Sequence, residues 1–255
     1  MKRSRIITIT LVILTLVLIG ALGWASLQVS NPWNARTIGD VPCPAGYSRV
    51  QDDSPYTAFI RSLPLKKRGA RVQLHKGGDA PLQLLSAGVV DIPTLSNIEQ
   101  CADVTMRIRA EYLWKEKRYT DICFTGVDGK KYPYGGGSSR KAFESYMKEV
   151  YGTCNTYSVY NETTRRDYDD IRPGDVLVYP SRKKGAYGHA MLVADVARTR
   201  DGKIAVLCVE GNTPAREAHL VRNPNPFRNP WHTVTPGRDI WVSGFHFHPK
   251  ELRHY

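Results

Sequence analysis

Three residue types that can together break an amide bond are spread along this sequence: a thiol, an imidazole and a carboxylate. Cys101 lies in "SNIEQCADVTMRIRAEYLW". His189 follows Gly188 at the mouth of the apolar run "HAMLVADVA", and Glu210 and Asn212 close the next apolar run, "KIAVLCVEGN". A thiol is a weak nucleophile until it loses its proton, and a helix N-terminus and a nearby imidazole both favour the thiolate. The imidazole in turn needs a third group to hold one tautomer. Glu210, with Asn212 as its rival, is that group if the two runs are neighbouring strands. Gln100 and Asp103 flank the thiol and are candidates for the oxyanion site and its surroundings.

Other candidates have plainer readings. Asp103 and Arg107 are four apart and suit a helix-face ion pair. Asp195 reads as a strand-face or turn residue. His246 and His248 alternate with Phe245 and Phe247, so both imidazoles share one strand face. They could bind a metal only with a third ligand, which the sequence does not point out. A solvated strand face is the simpler reading, and no metal or cofactor is expected. Tyr132, Tyr134, Trp231 and Trp241 could line a glycan groove, although scattered aromatics more often belong to a core. "GVDGKKYPYGGGSS" reads as a loop and lacks the Gly-Lys-Ser/Thr of a phosphate loop.

The elements that must position the thiol and imidazole follow from periodicity. Ser96 and Glu99 fit a capping box and predict a helix starting there. Ile98, Ala102, Thr105, Ile108 and Tyr112 form one apolar stripe, and Met106, Ala110 and Leu113 a second, so the helix should be central. "SSRKAFESYMKEVYG" predicts another, with Phe143, Met147 and Val150 inward. "RVQLHKGG" and "LQLLSAGVVDI" suggest two strands around Gly77-Gly78. From residue 175 the period is that of strands: "DVLVYP", "HAMLVADVA", "KIAVLCVEG", "AHLVR" and "IWVSGFHFH". Asp201-Gly202 marks a hairpin, which would carry Glu210 back beside His189. Helices followed by a meander argue for one α+β domain.

The ends and the charge set the context. Lys2, Arg3 and Arg5 precede an uncharged apolar run, residues 6–25, about 30 Å long if helical, enough to cross a bilayer. Its length favours an uncleaved anchor over a cleaved signal peptide, and the basic flank places the rest of the chain outside the cytoplasm. We divide the chain into 1–25, anchor or signal; 26–45, a tether rich in Pro; and 46–255, the globular domain. The formal net charge of +12 favours an anionic partner such as an envelope polymer. A nucleic-acid reader is disfavoured, because no binding motif accompanies the charge. Five cysteines leave at least one thiol unpaired within a monomer, and none forms a C-x-x-C pair.

Two resemblances add to these readings. "EQCAD", "RPGDVLVY…GHAMLV" and "DGKIAVLCVEGN" resemble blocks of the cysteine–histidine-dependent amidohydrolase/peptidase domains, relatives of the NlpC-type peptidases in the papain-like group. That likeness implies a papain-like α+β fold, Cys101 as nucleophile, His189 as base and Glu210 or Asn212 as the orienting group, with Gln100 near the oxyanion. "SNIEQCADVTMRIRAEYLW", "GDVLVY…GHAMLVADVA" and "NPFRNPW" are similar, over more of the chain, to a bacterial domain-of-unknown-function family, number 4846, which implies no activity. The expectation is an extracytoplasmic thiol hydrolase acting on a cell-envelope amide, most plausibly in a peptidoglycan stem peptide. The alternative is an envelope binding module without turnover, for which Cys101 would be buried or disulfide-linked and distant from His189.

Overall fold

The architecture is an α+β domain built on one large antiparallel sheet. The computed structural model describes residues 10–18, 20, 29–183, 186–227 and 229–255. Beyond residue 29 its α-helices are α1 (Pro55–Arg61), α2 (Cys101–Lys115), α3 (Arg140–Thr153) and α4 (Thr156–Glu162). The main sheet is ordered β2 (Ser86–Val89), β9 (His219–Val221), β8 (Ile204–Glu210), β7 (His189–Arg198), β6 (Val176–Tyr179), β13 (Leu252–His254) and β5 (Thr164–Arg165). Two short strands complete it: β1 (Ser48–Arg49) pairs with β7, and β10 (His232–Val234) pairs with β8.

The strands at the centre of the sheet are apolar without alternation. All of β8 is buried, and β7 is buried except at Arg198. Such a run requires cover on both faces. One face packs Ala190, Leu192, Leu207 and Val209 against Met106, Ile108, Phe143 and Met147 of α2 and α3. The other packs Met191, Val193, Val206 and Cys208 against Ile240, Val242 and Phe247. These last belong to a separate hairpin of β11 (Ile240–Val242) and β12 (Phe245–Phe247). "IWVSGFHFH" is therefore two strands, reversed at Ser243 and Gly244, both at positive φ (52° and 80°), as a two-residue turn matching strand twist requires.

Four expectations change. The helix carrying Cys101 begins at Cys101, not near Ser96. Ser96 and Glu99 instead form the turn ahead of it, where the Glu99 carboxylate accepts the Leu95 N–H at 2.5 Å. Asp103 and Arg107 do not pair: Arg107 binds Glu99 at 3.0 Å and Glu111 at 3.4 Å. Part of the 126–139 "loop" is a strand: β3 (Cys123–Thr125) pairs with β4 (Lys131–Pro133) across Asp128-Gly129. Of the strands expected around Gly77-Gly78, β2 forms, while residues 71–78 make only isolated bridges at Gln73 and Leu74.

The segment read as a tether is also packed in part. Ile38 and Val41 are fully buried in the main core, and the buried Asn31 amide bonds the carbonyls of Ala35 and Lys66, both at 2.9 Å. The stretch lacks periodicity because it packs as a coil, through single residues. Asp195, read as a strand-face residue, is buried at a bulge in β7 and salt-bridged to Arg49 at 2.6 Å and Arg61 at 2.7 Å. Residues 10–18 are helical. No helix among the described residues is long and apolar enough to cross a membrane. The remainder of the 6–25 run, apart from residue 20, lies outside the described residues.

Candidate active site

Cys101 is the first residue of α2, with Gln100 as its N-cap. The first-turn N–H groups of a helix have no intrahelical partners, and they make this end electropositive. Asp103 Oδ2 accepts the Gln100 N–H at 2.7 Å, closing the turn just ahead of the thiol.

His189 opens β7 at the end of the sheet, and the β7–β8 hairpin returns Glu210 to it. Leu192 faces Val209 across that pair, so Glu210 stands opposite Met191 and diagonal to His189 on the same face. His189 Nε2 lies 2.8 Å from Glu210 Oε2. Cys101 lines the same cleft as that imidazole and lies near enough to favour its charged form. Thiol, imidazole and carboxylate are thus brought to one place, with imidazole and carboxylate hydrogen-bonded.

Two glycines allow this closeness. A Cβ on Gly211 would meet Val104 Cγ2 at 2.6 Å and the Gln100 carbonyl oxygen at 3.1 Å, so its bareness lets the N-terminus of α2 rest on the end of β8. A Cβ on Gly188 would clash with Thr156 Oγ1 and the Tyr179 carbonyl oxygen. Gly188-His189 and Glu210-Gly211 therefore each set a chemical group beside the residue that admits its neighbour.

The electrostatics suit an ion pair. Burial opposes the imidazolium of His189, yet nearby Cys101 and the Glu210 carboxylate outweigh it and raise its pKa to about 9. Burial likewise opposes the Glu210 carboxylate, but His189 and His219 hold its pKa down at about 2. Asp103 goes the other way: burial raises it to about 8, against the Gln100 N–H that favours the charge. At neutral pH it mostly keeps its proton. Its Oδ1 is buried without a partner, as is the Tyr151 hydroxyl.

The thiol opens on a cleft of about 750 Å³ lined by Gln100, Asp103, Tyr151, Asn155, Tyr157 and Tyr187, among others. Tyr157 and Tyr187 are exposed at 54% and 84%, leaving their rings free to meet a ligand. Asn212 lines the same cleft but does not orient the imidazole; its Oδ1 accepts the Thr213 N–H at 2.8 Å. Of the glycan-groove candidates, Tyr134 and Trp231 are core residues. Trp241 is exposed but stacks on His246.

Two contributors escaped the sequence reading. Phe245 stacks on His189 with ring centroids 3.5 Å apart and planes 2° from parallel, covering one face of the imidazole. His219, across from Glu210 on β9, reaches Glu210 Oε1 at 3.4 Å. Both come from strands remote in sequence. The one available signal was alternation, which puts His219 and Glu210 on one face only once their register is known.

A family model matches residues 39–136 and 135–254, which together span most of the chain. The chain belongs to the family described as "Domain of unknown function (4846)". The comparisons with curated proteins and with solved structures find no match. The first matched segment of the family domain carries Cys101; the second carries His189, Glu210 and Phe245. These polar groups are therefore assembled from both.

The five cysteines are free thiols. Burial raises the pKa of Cys154 to about 11, and it also pushes up Cys208 and Cys43. Cys101, half-buried and at the cleft, is differently placed.

Proposed function

We propose that this protein is a thiol hydrolase that cleaves an amide bond, with a papain-like arrangement of nucleophile, base and orienting acid. The observation that carries the reading is the placement of Cys101, at a helix N-terminus, in one cleft with a His189 imidazole bonded to Glu210. The shared cleft of thiol and imidazole supports this reading over the binding module, which expects the two residues to lie apart.

In the proposed reaction, His189 takes the thiol proton and Cys101 attacks the substrate carbonyl carbon as thiolate. The resulting oxyanion is met by backbone N–H groups at the start of α2, aided by the Gln100 amide; each such donor contributes about 3 kcal/mol in comparable sites. His189 returns the proton to the leaving amine, the C–N bond breaks and a thioester remains. Water, losing a proton to His189, then attacks the thioester and releases the acid, and the proton passes back to sulfur. Glu210 stabilises the imidazolium at each stage and fixes its ring.

For the substrate, we propose a peptidoglycan stem peptide of the cell envelope, with the domain held outside the cytoplasmic membrane by the apolar segment 6–25. The basic surplus of the chain supports attraction to an anionic envelope polymer. The aromatic cleft suits a peptide laid across it.

The test is direct. Incubation with peptidoglycan fragments should release new amino groups, read by mass spectrometry, and Cys101→Ala and His189→Ala should both abolish the release. Iodoacetamide should label Cys101 ahead of the other thiols, and His189→Ala should slow it. Labelling of native Cys101 no faster than that of the denatured chain would sink the reading.

A further inference from the structure

Outside the cleft, one cluster of side chains has the makings of a separate site. In the β11–β12 hairpin Ile240 faces Phe247 and Trp241 faces His246. Continuing that register puts Asp239 opposite His248. Because side chains alternate along a strand, Asp239, Trp241, His246 and His248 all point outward, while Ile240, Val242 and Phe247 point into the core. The inner row also holds Phe245, which stacks on His189.

On the outer face the Asp239 carboxylate bridges both imidazoles: Oδ2 to His246 Nε2 at 2.7 Å, and Oδ1 to His248 Nδ1 at 3.0 Å. One donor atom from each of the three residues lies within 4.8 Å of the others. The positions are braced. Trp241 stacks on the His246 ring at 4.5 Å. Arg182 donates to the His246 carbonyl at 2.8 Å, and the Glu251 carboxylate takes the His248 N–H at 2.7 Å. All three donors reach solvent.

We propose that Asp239, His246 and His248 form a binding site for a zinc-type divalent transition-metal ion. The donor chemistry selects the ion. Two imidazoles and one carboxylate suit zinc and its neighbours, whereas magnesium and calcium take oxygen ligands. Zinc holds such atoms at about 2.0–2.1 Å, which places them about 3.3 Å apart, so a shift of about 1 Å in solvent-exposed side chains closes the site. On binding, each ring carries its proton on the nitrogen facing away from the metal, and lone pairs on His246 Nε2 and His248 Nδ1 replace the bonds to Asp239. Three protein ligands leave a fourth position for water or a further group. The sequence shows two of the ligands as a His-x-His pair; the hairpin supplies the third from the facing strand.

The proposal stands apart from the hydrolase reading, since none of the three residues touches Cys101 or His189. Its test uses full-length protein carrying Cys101→Ala, so that the cleft thiol is not a ligand. Zinc titrated calorimetrically should bind one ion per chain and raise the melting temperature. His246→Ala and His248→Ala should each weaken binding at least about tenfold, while His75→Ala should leave it unchanged. Cobalt should give a spectrum without a thiolate charge-transfer band. Asp239→Asn, which keeps the side-chain shape, carries the same comparison should a histidine variant fail to fold. No zinc uptake, or uptake unchanged in all the cluster variants that fold, overturns the proposal.

Discussion

At the scale of single residues, charge is placed against the grain of burial, and pH should expose it. In the folded chain Asp103 keeps its proton up to about pH 8, while its ordinary value is 3.8. Between those values the unfolded chain binds fewer protons than the folded one, so stability falls as pH rises. Asp103→Asn abolishes that loss while its amide oxygen still accepts the Gln100 N–H. Melting curves should show the variant gaining on the wild type from about pH 4 to about pH 8. Glu210 has the opposite sign: its depressed value contributes stability above its ordinary 4.5 that disappears as pH falls towards about 2. Glu210→Gln keeps a hydrogen-bond acceptor and removes the charge that sustains the imidazolium, leaving burial to lower the His189 value. Alkylation of Cys101 near neutral pH should then slow by about tenfold or more; an unchanged rate would mean that Glu210 does not act on the pair.

At the scale of elements, the sheet end and the helix start must meet within van der Waals distance, and Gly211 is where they do. Gly211→Ala sets a methyl group against Val104 and the Gln100 carbonyl. It should cost about 1–3 kcal/mol in a denaturant titration and lower Cys101 reactivity, because the helix end must retreat. Gly152→Ala, near the end of α3 with nothing within 4 Å of the new atom, should be neutral or slightly stabilising, since Ala favours helix. This junction also marks how far the sequence could be read. The order Cys101, His189, Glu210 was legible because a single hairpin, flagged by Asp201-Gly202, folds the last two together. The helix start was not, because Ser96 and Glu99 carry the capping pattern while Glu99 is committed to Arg107. Gln100, an uncommon N-cap, gave no signal. Phe245, His219 and Asp239 meet their partners through strand pairings that no local pattern encodes.

At the scale of the whole molecule, the folded unit starts before the periodic sequence does. Ile38 and Val41 fill the core beside the helices, and Asn31 ties the segment to the Lys66 carbonyl. A chain starting at residue 29 should therefore melt cooperatively, whereas one starting at residue 46 should lose near-ultraviolet dichroism and a sharp transition. Equal melting of the two would show that residues 31–45 contribute little. The α+β class and the meander were legible because burial on both faces writes itself as unbroken apolar strands. The packed coil was not, because isolated apolar contacts have no period. If the proposed anchor holds, deleting residues 1–28 should move the protein out of the membrane fraction, as fractionation would reveal.

The ring stacked on His189 comes from a two-stranded ribbon outside the main sheet. A ribbon of that size has little stability of its own, and such units open locally at lower free energy than the whole domain. Fraying at its Phe245 end would wet the imidazole before the sheet itself unfolds. The proposed site and the fold would then have separate temperature limits: any enhanced alkylation of Cys101 should fade on warming before the sheet melts. Hydrogen exchange should find the amides of residues 240–247 among the first to lose protection, ahead of those in β7 and β8.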